Sequence, residues 1–509
     1  MSTPNDEYFA LILSVPRIAA VRPQAATAVL KSLLTNLNKK SKVFDINLDF
    51  HRNFKNGAGA STYWSVDEYF YNDNKKLDDN ERLIYMSWLI NWVEKLKEYK
   101  PRYLMISVFT WQCQKFLIDF LPQWKDRANI PVIVGGQGLI REENGSFTTR
   151  VDHVAKLKEK GLIAHWVRGE AETTIEHIVN EDFNHRGIDT HELAPWSNVN
   201  DHNFMNFDDF EILNYYSGYE KGVLPLESSR GCVRNCEFCD IPTMQGGYRY
   251  KTGERMFREV IHYYENYGVE DFFFNDALCN GSLKDFKIFN NLLIDYYKEN
   301  NLPDAHLKYS SHYIIRSPEK FNDDDHKIMA WAGGDTMVVG VETGSDRVRA
   351  HMKKQFTNQD LDFTMEMFSK YRMSIYLLMI VGFPTETRED FEETIKMLKR
   401  YQKYVADGTI IGVNLGTTLT IEEGTPLWDG YGKFNIVGKD GNRPHGPDWI
   451  CLDNPTLTYK ERIQRRIEAQ EIAIKLGYTF WKGDDQVRIL MDNYKKRLTK
   501  LQRVAGGMM

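Results

Sequence analysis

Glu227-Ser-Ser-Arg-Gly-Cys232-Val-Arg-Asn-Cys236-Glu-Phe-Cys239 sets three cysteines in a CxxxCxxC spacing directly after a β-rich run, Val223 to Glu227. Three thiolates on one short loop can each take a different iron of a cubane and leave the fourth iron without a protein ligand. An open metal position is what a catalytic site needs, by the logic that separates catalytic from structural zinc. A zinc knuckle is the alternative, and it would want a second close pair of ligands. The next candidates, His262 and Cys279, do not supply that pair.

Working outward, βα alternation surrounds this loop on both sides. Downstream and including the first run, six strands are expected near Val223 to Glu227, Asp271 to Asn275, Lys308 to Ile314, Thr336 to Val341, Ile375 to Val381 and Ile410 to Leu415. Helical patterns at Met256 to Tyr267, Lys284 to Glu299 and Arg388 to Tyr404 separate them, which suits a partial (β/α)6 barrel better than an open sheet. Upstream, strands are expected at Tyr8 to Ser14, Lys42 to Leu48, Tyr103 to Phe109, Pro131 to Val134 and His165 to Arg168, the pattern of a doubly wound, Rossmann-like α/β domain. The turn Gly135-Gly136-Gln137-Gly138 falls where such a fold has its ligand crevice, although a tight turn without a ligand has the same composition. A polar stretch from Leu193 to Asp209 reads as a linker.

The division expected is residues 1–200, 201–430 and 431–509, since a chain of 509 residues exceeds the roughly 250 to 300 that one core serves. The last part reads as a small helical region: Thr458 and Glu461 form a capping-box pattern ahead of Ile463, Ile467 and Ile474, and Gly477 is placed to stop the helix. Lys495-Lys496-Arg497 reads as a solvated helix face.

The 65 basic and 71 acidic residues are interspersed, so no overall positive field favours a nucleic-acid backbone, and a small-molecule or peptide substrate is expected. The near-apolar run Leu83 to Val93 is too short to cross a bilayer. No basic-then-apolar signal pattern opens the sequence, so the expected compartment is the cytoplasm. There a close cysteine cluster points to metal or redox chemistry. Cys113, Cys279 and Cys451 stand alone and read as ordinary thiols, although Cys279 follows Asp276 toward the expected site.

With Phe238 just before the last cysteine, the motif resembles that of the radical S-adenosylmethionine (SAM) superfamily. The likeness extends over residues 1 to 430 and is closest to members with an N-terminal cobalamin-binding-type domain. It rests on Phe274-Asn275-Asp276, Gly340-Val341-Glu342-Thr343-Gly344-Ser345 and Gly382-Phe383-Pro384-Thr385-Glu386-Thr387. The resemblance implies a 4Fe-4S cluster on Cys232, Cys236 and Cys239 and SAM chelated at the open iron. Phe238 would lie near the adenine, and Asn275, Asp276, Glu342 and Gly382 around SAM. Arg316, after the third strand, suits the SAM carboxylate, and an exposed arginine is the alternative. For Glu342 the alternative is a buried, paired carboxylate.

Ser107-Val108-Phe109-Thr110, the turn with Gly135, Gly136 and Gly138, and Arg168-Gly169-Glu170-Ala171-Glu172 resemble stretches of cobalamin-type domains. Cobalamin is therefore an expected third cofactor. The Asp-x-His-x-x-Gly motif of many such domains is absent: Ser14-Val15-Pro16-Arg17 stands in its place. Asp49-Phe50-His51 imitates only its start, and His51 reads as a surface loop residue.

The implied activity is reductive SAM cleavage to a 5'-deoxyadenosyl radical, with cobalamin-dependent methyl transfer to an unactivated carbon. A reductase, flavodoxin or ferredoxin would donate the electron. Oxidative cyclisation or rearrangement is the alternative within the superfamily, and a non-catalytic iron-sulfur redox sensor the alternative outside enzymes. Methylthiolation of tRNA needs three further cysteines for a second cluster, and Cys113 alone precedes the core.

Overall fold

The computed structural model describes residues 8–140, 152–216, 221–416 and 418–480, so the Lys495-Lys496-Arg497 run lies outside the described residues. The chain divides into two compact units, Met1–Arg230 with Arg249–Asn275, and Gly231–Tyr248 with Asp276–Met509.

The first unit holds five parallel strands, β1 (Ala10–Ser14), β2 (Ser41–Asp45), β3 (Tyr103–Ser107), β4 (Val132–Gly135) and β5 (His165–Val167), in the order β2-β1-β3-β4-β5. β1 and β3 are buried along their whole length, which explains why they read as continuous apolar runs rather than alternating ones. This is the flavodoxin-like variant of the doubly wound sheet, whose crevice lies beyond the carboxyl ends of β1 and β3. The apolar run from Leu83 sits on the helix Asp79–Lys97, which buries Tyr85, Leu89 and Val93 on the sheet side and leaves Leu83 exposed. No helix among the described residues is long and apolar enough to cross a membrane. The unit also contains β6 (Val223–Leu226) and β7 (Asp271–Phe274), parallel to one another.

The second unit contains β8 (Lys308–Tyr313), β9 (Gly334–Glu342), β10 (Ser374–Met379) and β11 (Ile410–Asn414), each parallel to the next. Their connecting helices begin at Asn322, Thr357 and Thr387. Each of these accepts the N–H of an aspartate three residues on, and that aspartate reaches back to the cap. All six barrel strands thus lie within three residues of their expected limits. The helix expected from Arg388 to Tyr404 is interrupted at Tyr401, giving Arg388–Arg400 and Gln402–Ala406.

The C-terminal region has a helix, Tyr459–Lys475, closed by Gly477 at φ +87°. Ahead of it lies an antiparallel pair, Ile436–Gly438 with Trp449–Cys451, that the sequence reading does not include. Three-residue strands are too short to show a period. Thr458 caps the helix as expected, but Glu461 turns to Arg465, 2.8 Å away, instead of completing the capping box.

Candidate functional site

The three motif cysteines lie on the loop that fills Gly231–Tyr248. Cys236 is buried, and Cys232 and Cys239 are half-buried. A turn joins Cys239 N–H to the Cys236 carbonyl at 3.1 Å, and Arg234 N–H points at Cys232 Sγ at 3.4 Å. Amide-to-sulfur contacts of this kind tune the potential of a thiolate-held cluster. The loop is seated through Glu237, whose N–H reaches the Met352 carbonyl and whose carboxylate pairs with Lys353 at 2.6 Å. Phe238 packs against the apolar cluster of Val348, Met352, Phe383 and Leu427, with the Lys354 ammonium 5.9 Å from its ring centre. Its ring anchors the loop on the protein.

Burial pushes the Cys236 thiol up and the Cys239 thiol up to about 12, so ionising them requires a cation. Arg234 lies within electrostatic range of Cys232 and Cys236, Lys354 of Cys236 and Cys239, and Arg316 of Cys232. The carboxylates facing the thiols are Glu342 and Asp240. Three thiols on one loop, a surplus of positive charge and an amide aimed at sulfur suit an anionic iron-sulfur cluster. No group of three or more His, Cys, Asp or Glu among the described residues is arranged to hold a single metal ion.

Glu342 ends β9 in the left-handed region at φ +67°, where a side chain other than glycine stores strain. Its Oε1 accepts from Lys354 Nζ at 2.9 Å, with Glu342 buried and Lys354 half-buried. A Cβ on Gly340 would fall 2.4 Å from that oxygen and 2.8 Å from that ammonium. A side chain at position 340 would therefore push the ion pair aside. Glu342 is thus a buried, paired carboxylate at a strand's C-terminal end, where βα-barrel sites are built.

Arg316 is not exposed. Its Nη2 donates to the carbonyls of Asn280 (2.8 Å) and Gly281 (3.0 Å), while its buried Nε has no hydrogen-bond partner among the described residues. Asp276 is buried one residue after Asn275. Asn275 itself is engaged: its side-chain oxygen accepts from Arg22 Nε and Nη2 at 3.3 and 3.1 Å, and the Arg22 guanidinium stacks 3.9 Å from the Phe273 ring.

Gly382 departs from the expectation of close ligand approach. It has φ +85°, and a Cβ there would meet Arg462 Cγ and Cδ at 2.6 and 2.7 Å. The space beside it belongs to the C-terminal helix.

In the N-terminal sheet Ser107 and Gly135 end adjacent strands in register. Beyond them the two loops zip together. Val108 N–H donates to the Gly135 carbonyl at 2.7 Å, and Gly138 N–H to the Val108 carbonyl at 2.8 Å. A Cβ on Gly136 or Gly138 would strike the carbonyl oxygen of Val108 at 2.5 Å or of Thr110 at 2.4 Å. These two glycines therefore permit loop-on-loop packing, and the Gly138 amide is already spent. At the β1/β3 crevice Arg17 pairs with buried Asp67 at 2.5 Å and Phe109 stays 46% exposed.

His51 requires a correction. It is no surface loop residue: it lies in a short π-helix, Phe50–Phe54, with Nδ1 2.8 Å from Tyr63 OH and Nε2 2.7 Å from the Ile18 carbonyl. Burial lowers its pKa. Both ring nitrogens are occupied, so it has none to offer a metal.

Sequence reasoning missed Lys354, which sits in a short connection without local pattern. It also passed over Arg234, although its position inside the cysteine motif was a usable signal.

Residues 226–398 match the sequence model of the Radical SAM superfamily. The fold is α/β, a doubly wound domain ahead of a partial barrel that does not close.

Two kinds of known protein stand near it. An uncharacterized methyltransferase of Pyrococcus horikoshii is 26% identical over 319 residues, 59% of this chain and 63% of that protein. A tRNA-2-methylthio-N(6)-dimethylallyladenosine synthase of Sulfurihydrogenibium is 28% identical over 179 residues, 34% of this chain and 39% of that one. The chain thus spans less than two thirds of these relatives. Among solved structures, the radical S-adenosylmethionine methyltransferase TsrM of Kitasatospora setae, with cobalamin and a 4Fe-4S cluster bound, has a TM-score of 0.58 at 15% identity. The match covers 86% of this chain and 81% of that one. The cobalamin-dependent S-adenosylmethionine radical enzyme OxsB matches with a TM-score of 0.58 at 15% identity, over 86% of this chain and 63% of that one.

Proposed function

We propose that this chain is a radical SAM enzyme in which Cys232, Cys236 and Cys239 hold a 4Fe-4S cluster and the N-terminal domain holds cobalamin. The reaction proposed is methyl transfer to an unactivated carbon of a small molecule or peptide. The observation that carries the reading is the loop of three thiols faced by Arg234, Arg316 and Lys354. When bound, the cluster and SAM supply a 5'-deoxyadenosyl radical and cobalamin the methyl group.

The chain's own part is positioning and charge. Arg234 and Lys354 offset the thiolates. Arg316 Nε, buried and without a hydrogen-bond partner among the described residues, is the donor for the SAM carboxylate. Glu342, fixed by Lys354, accepts from the SAM amino group or ribose, and Asp276 lines the same face. Phe238 lies on the adenine side. In the N-terminal domain Ser107 and the turn at Gly135, Gly136 and Gly138 form the floor of the corrin crevice, with no imidazole on cobalt. A reductase, flavodoxin or ferredoxin delivers the electron.

Reduced, anaerobically reconstituted protein is expected to convert SAM to 5'-deoxyadenosine. Glu342→Gln is expected to weaken SAM binding roughly 10- to 100-fold, the size of a hydrogen bond to a charged group, with the cluster retained. Chromatography of nucleoside products and a SAM titration measure both. Absence of 5'-deoxyadenosine sinks the reading, and loss of the cluster in the variant makes Glu342 structural.

With hydroxocobalamin, the cob(II)alamin form is expected to show a base-off spectrum unchanged by His51→Ala. Protein that retains no corrin makes the domain a scaffold. Nitrogen superhyperfine splitting that vanishes in His51→Ala restores that histidine as a ligand.

A further inference from the structure

The cysteine loop Gly231–Tyr248 leaves the chain between two short stems, Ser229–Arg230 and Arg249–Tyr250, which pair antiparallel with Arg230 opposite Arg249. Two guanidinium groups facing each other across such a pair repel unless an anion joins them. Glu170 is that anion. Its Oε1 lies 3.1 Å from Arg230 Nη1 in an ion pair and accepts from Arg249 Nη2 at 2.7 Å, and its Oε2 accepts from Arg249 Nη1 at 3.0 Å and Ser197 N–H at 2.7 Å.

Glu172 and Glu227 complete the grip on Arg230. Glu172 Oε1 accepts from Nη2 at 2.6 Å, and Glu227 Oε2 from Nε at 2.8 Å. All three nitrogens of Arg230 thus meet carboxylate. Side-chain exposure is 9% for Glu170 and Glu172 and 16% for Arg230, so water screens these pairs little. Both glutamates come from Arg168-Gly169-Glu170-Ala171-Glu172, the segment that follows β5 of the N-terminal sheet. Arg230 stands two residues before Cys232 in the chain.

We propose that Glu170 and Glu172 are positioning residues for the iron-sulfur loop: through Arg230 and Arg249 they fix the two stems from which Cys232, Cys236 and Cys239 are suspended. Glu170 and Glu172 then act on the loop along the chain, through its stems, whether or not the domain holds a corrin. The inference rests on the reading that this loop holds a 4Fe-4S cluster.

Full-length Glu170→Gln and Glu172→Gln, isosteric and uncharged, test it in the reconstituted protein. The readouts are iron loss to a chelator, the paramagnetic resonance spectrum of the reduced cluster and its midpoint potential. Asp119→Asn is the control, because Asp119 is a buried carboxylate of the same unit that pairs with Arg82 away from the stems. Iron loss at least tenfold faster than in the unaltered protein, with an altered spectrum, is expected for both glutamate variants and not for the control. Wild-type loss rate, spectrum and potential in both variants overturn the inference, and so does the same change in Asp119→Asn. If Glu170→Gln does not accumulate as folded protein, Glu170→Asp keeps the charge but withdraws it by one methylene and is read the same way. Unaltered protein that takes up no cluster overturns the parent reading instead, a result distinct from a stable cluster indifferent to Glu170 and Glu172.

Discussion

Anaerobically reconstituted protein carrying Cys232→Ala, Cys236→Ala or Cys239→Ala is expected to hold no 4Fe-4S cluster and to form no 5'-deoxyadenosine, a complete loss in each case. A cubane with one open iron needs all three remaining irons ligated, and the loop offers one thiol for each. Removing any one leaves a second iron without protein, and Cys236 and Cys239 stand in surroundings that favour their neutral form. Burial pushes Cys236 up and Cys239 up to about 12, so metal ligation itself must draw the protons off. Arg234 and Lys354 assist every thiolate state but cannot supply a ligand, being cations. Iron and labile-sulfide analysis with Mössbauer spectroscopy measures the outcome. Stoichiometric zinc without labile sulfide in protein purified under strict anaerobiosis would return the loop to the zinc-knuckle reading.

How much of this was legible in the sequence depends on the range of the interaction. β1 and β3 are apolar throughout because both faces are covered, and the capping pairs at Asn322, Thr357 and Thr387 span three residues, so strands and helix starts could be read locally. The cysteine motif was legible for the same reason. The glycines of the 135–138 turn and Gly382 were read as places where a ligand comes close to the backbone, but sequence does not say what takes the space. At Gly382 it is the stem of Arg462, at Gly138 the Thr110 carbonyl, and at Gly340 the Glu342–Lys354 pair. His51 shows the same limit, since its burial follows from Tyr63 and from the Ile18 carbonyl, neither of which is a sequence neighbour. Glu227 is a near neighbour of Arg230, but Glu170 and Glu172, the other carboxylates on Arg230 and Arg249, come from a segment 58 residues or more away, beyond any local pattern.

Arg465→Ala is expected to destabilise the folded protein by about 3 to 5 kcal/mol, the cost of removing one partner of a buried ion pair. In thermal unfolding this is a fall in midpoint on the order of 10 °C. Arg465 and Glu386 are 3% and 1% exposed and 3.1 Å apart, and Arg465 also donates to the carbonyls of Glu386 and Thr387. Glu386 in turn accepts from Gly382 N–H at 3.2 Å, so the pair ties the C-terminal helix to the turn after β10. Burial raises the Glu386 pKa to about 7, with Arg465 opposing the rise. Because the folded value lies above the unfolded one, the folded state binds the extra proton. Its contribution is full below the ordinary carboxylate range and is lost as pH rises through about 7. Without Arg465 the folded value climbs further, and the loss continues above pH 7 where the unaltered protein has already levelled off. The deficit of Arg465→Ala should therefore widen between about pH 6 and pH 9, and adding Glu386→Gln should remove that slope. Unfolding midpoints of the three proteins across this range decide it. A deficit below about 1 kcal/mol, within the range of an exposed pair, or one that does not change with pH, would mean that Arg465 serves only the backbone carbonyls.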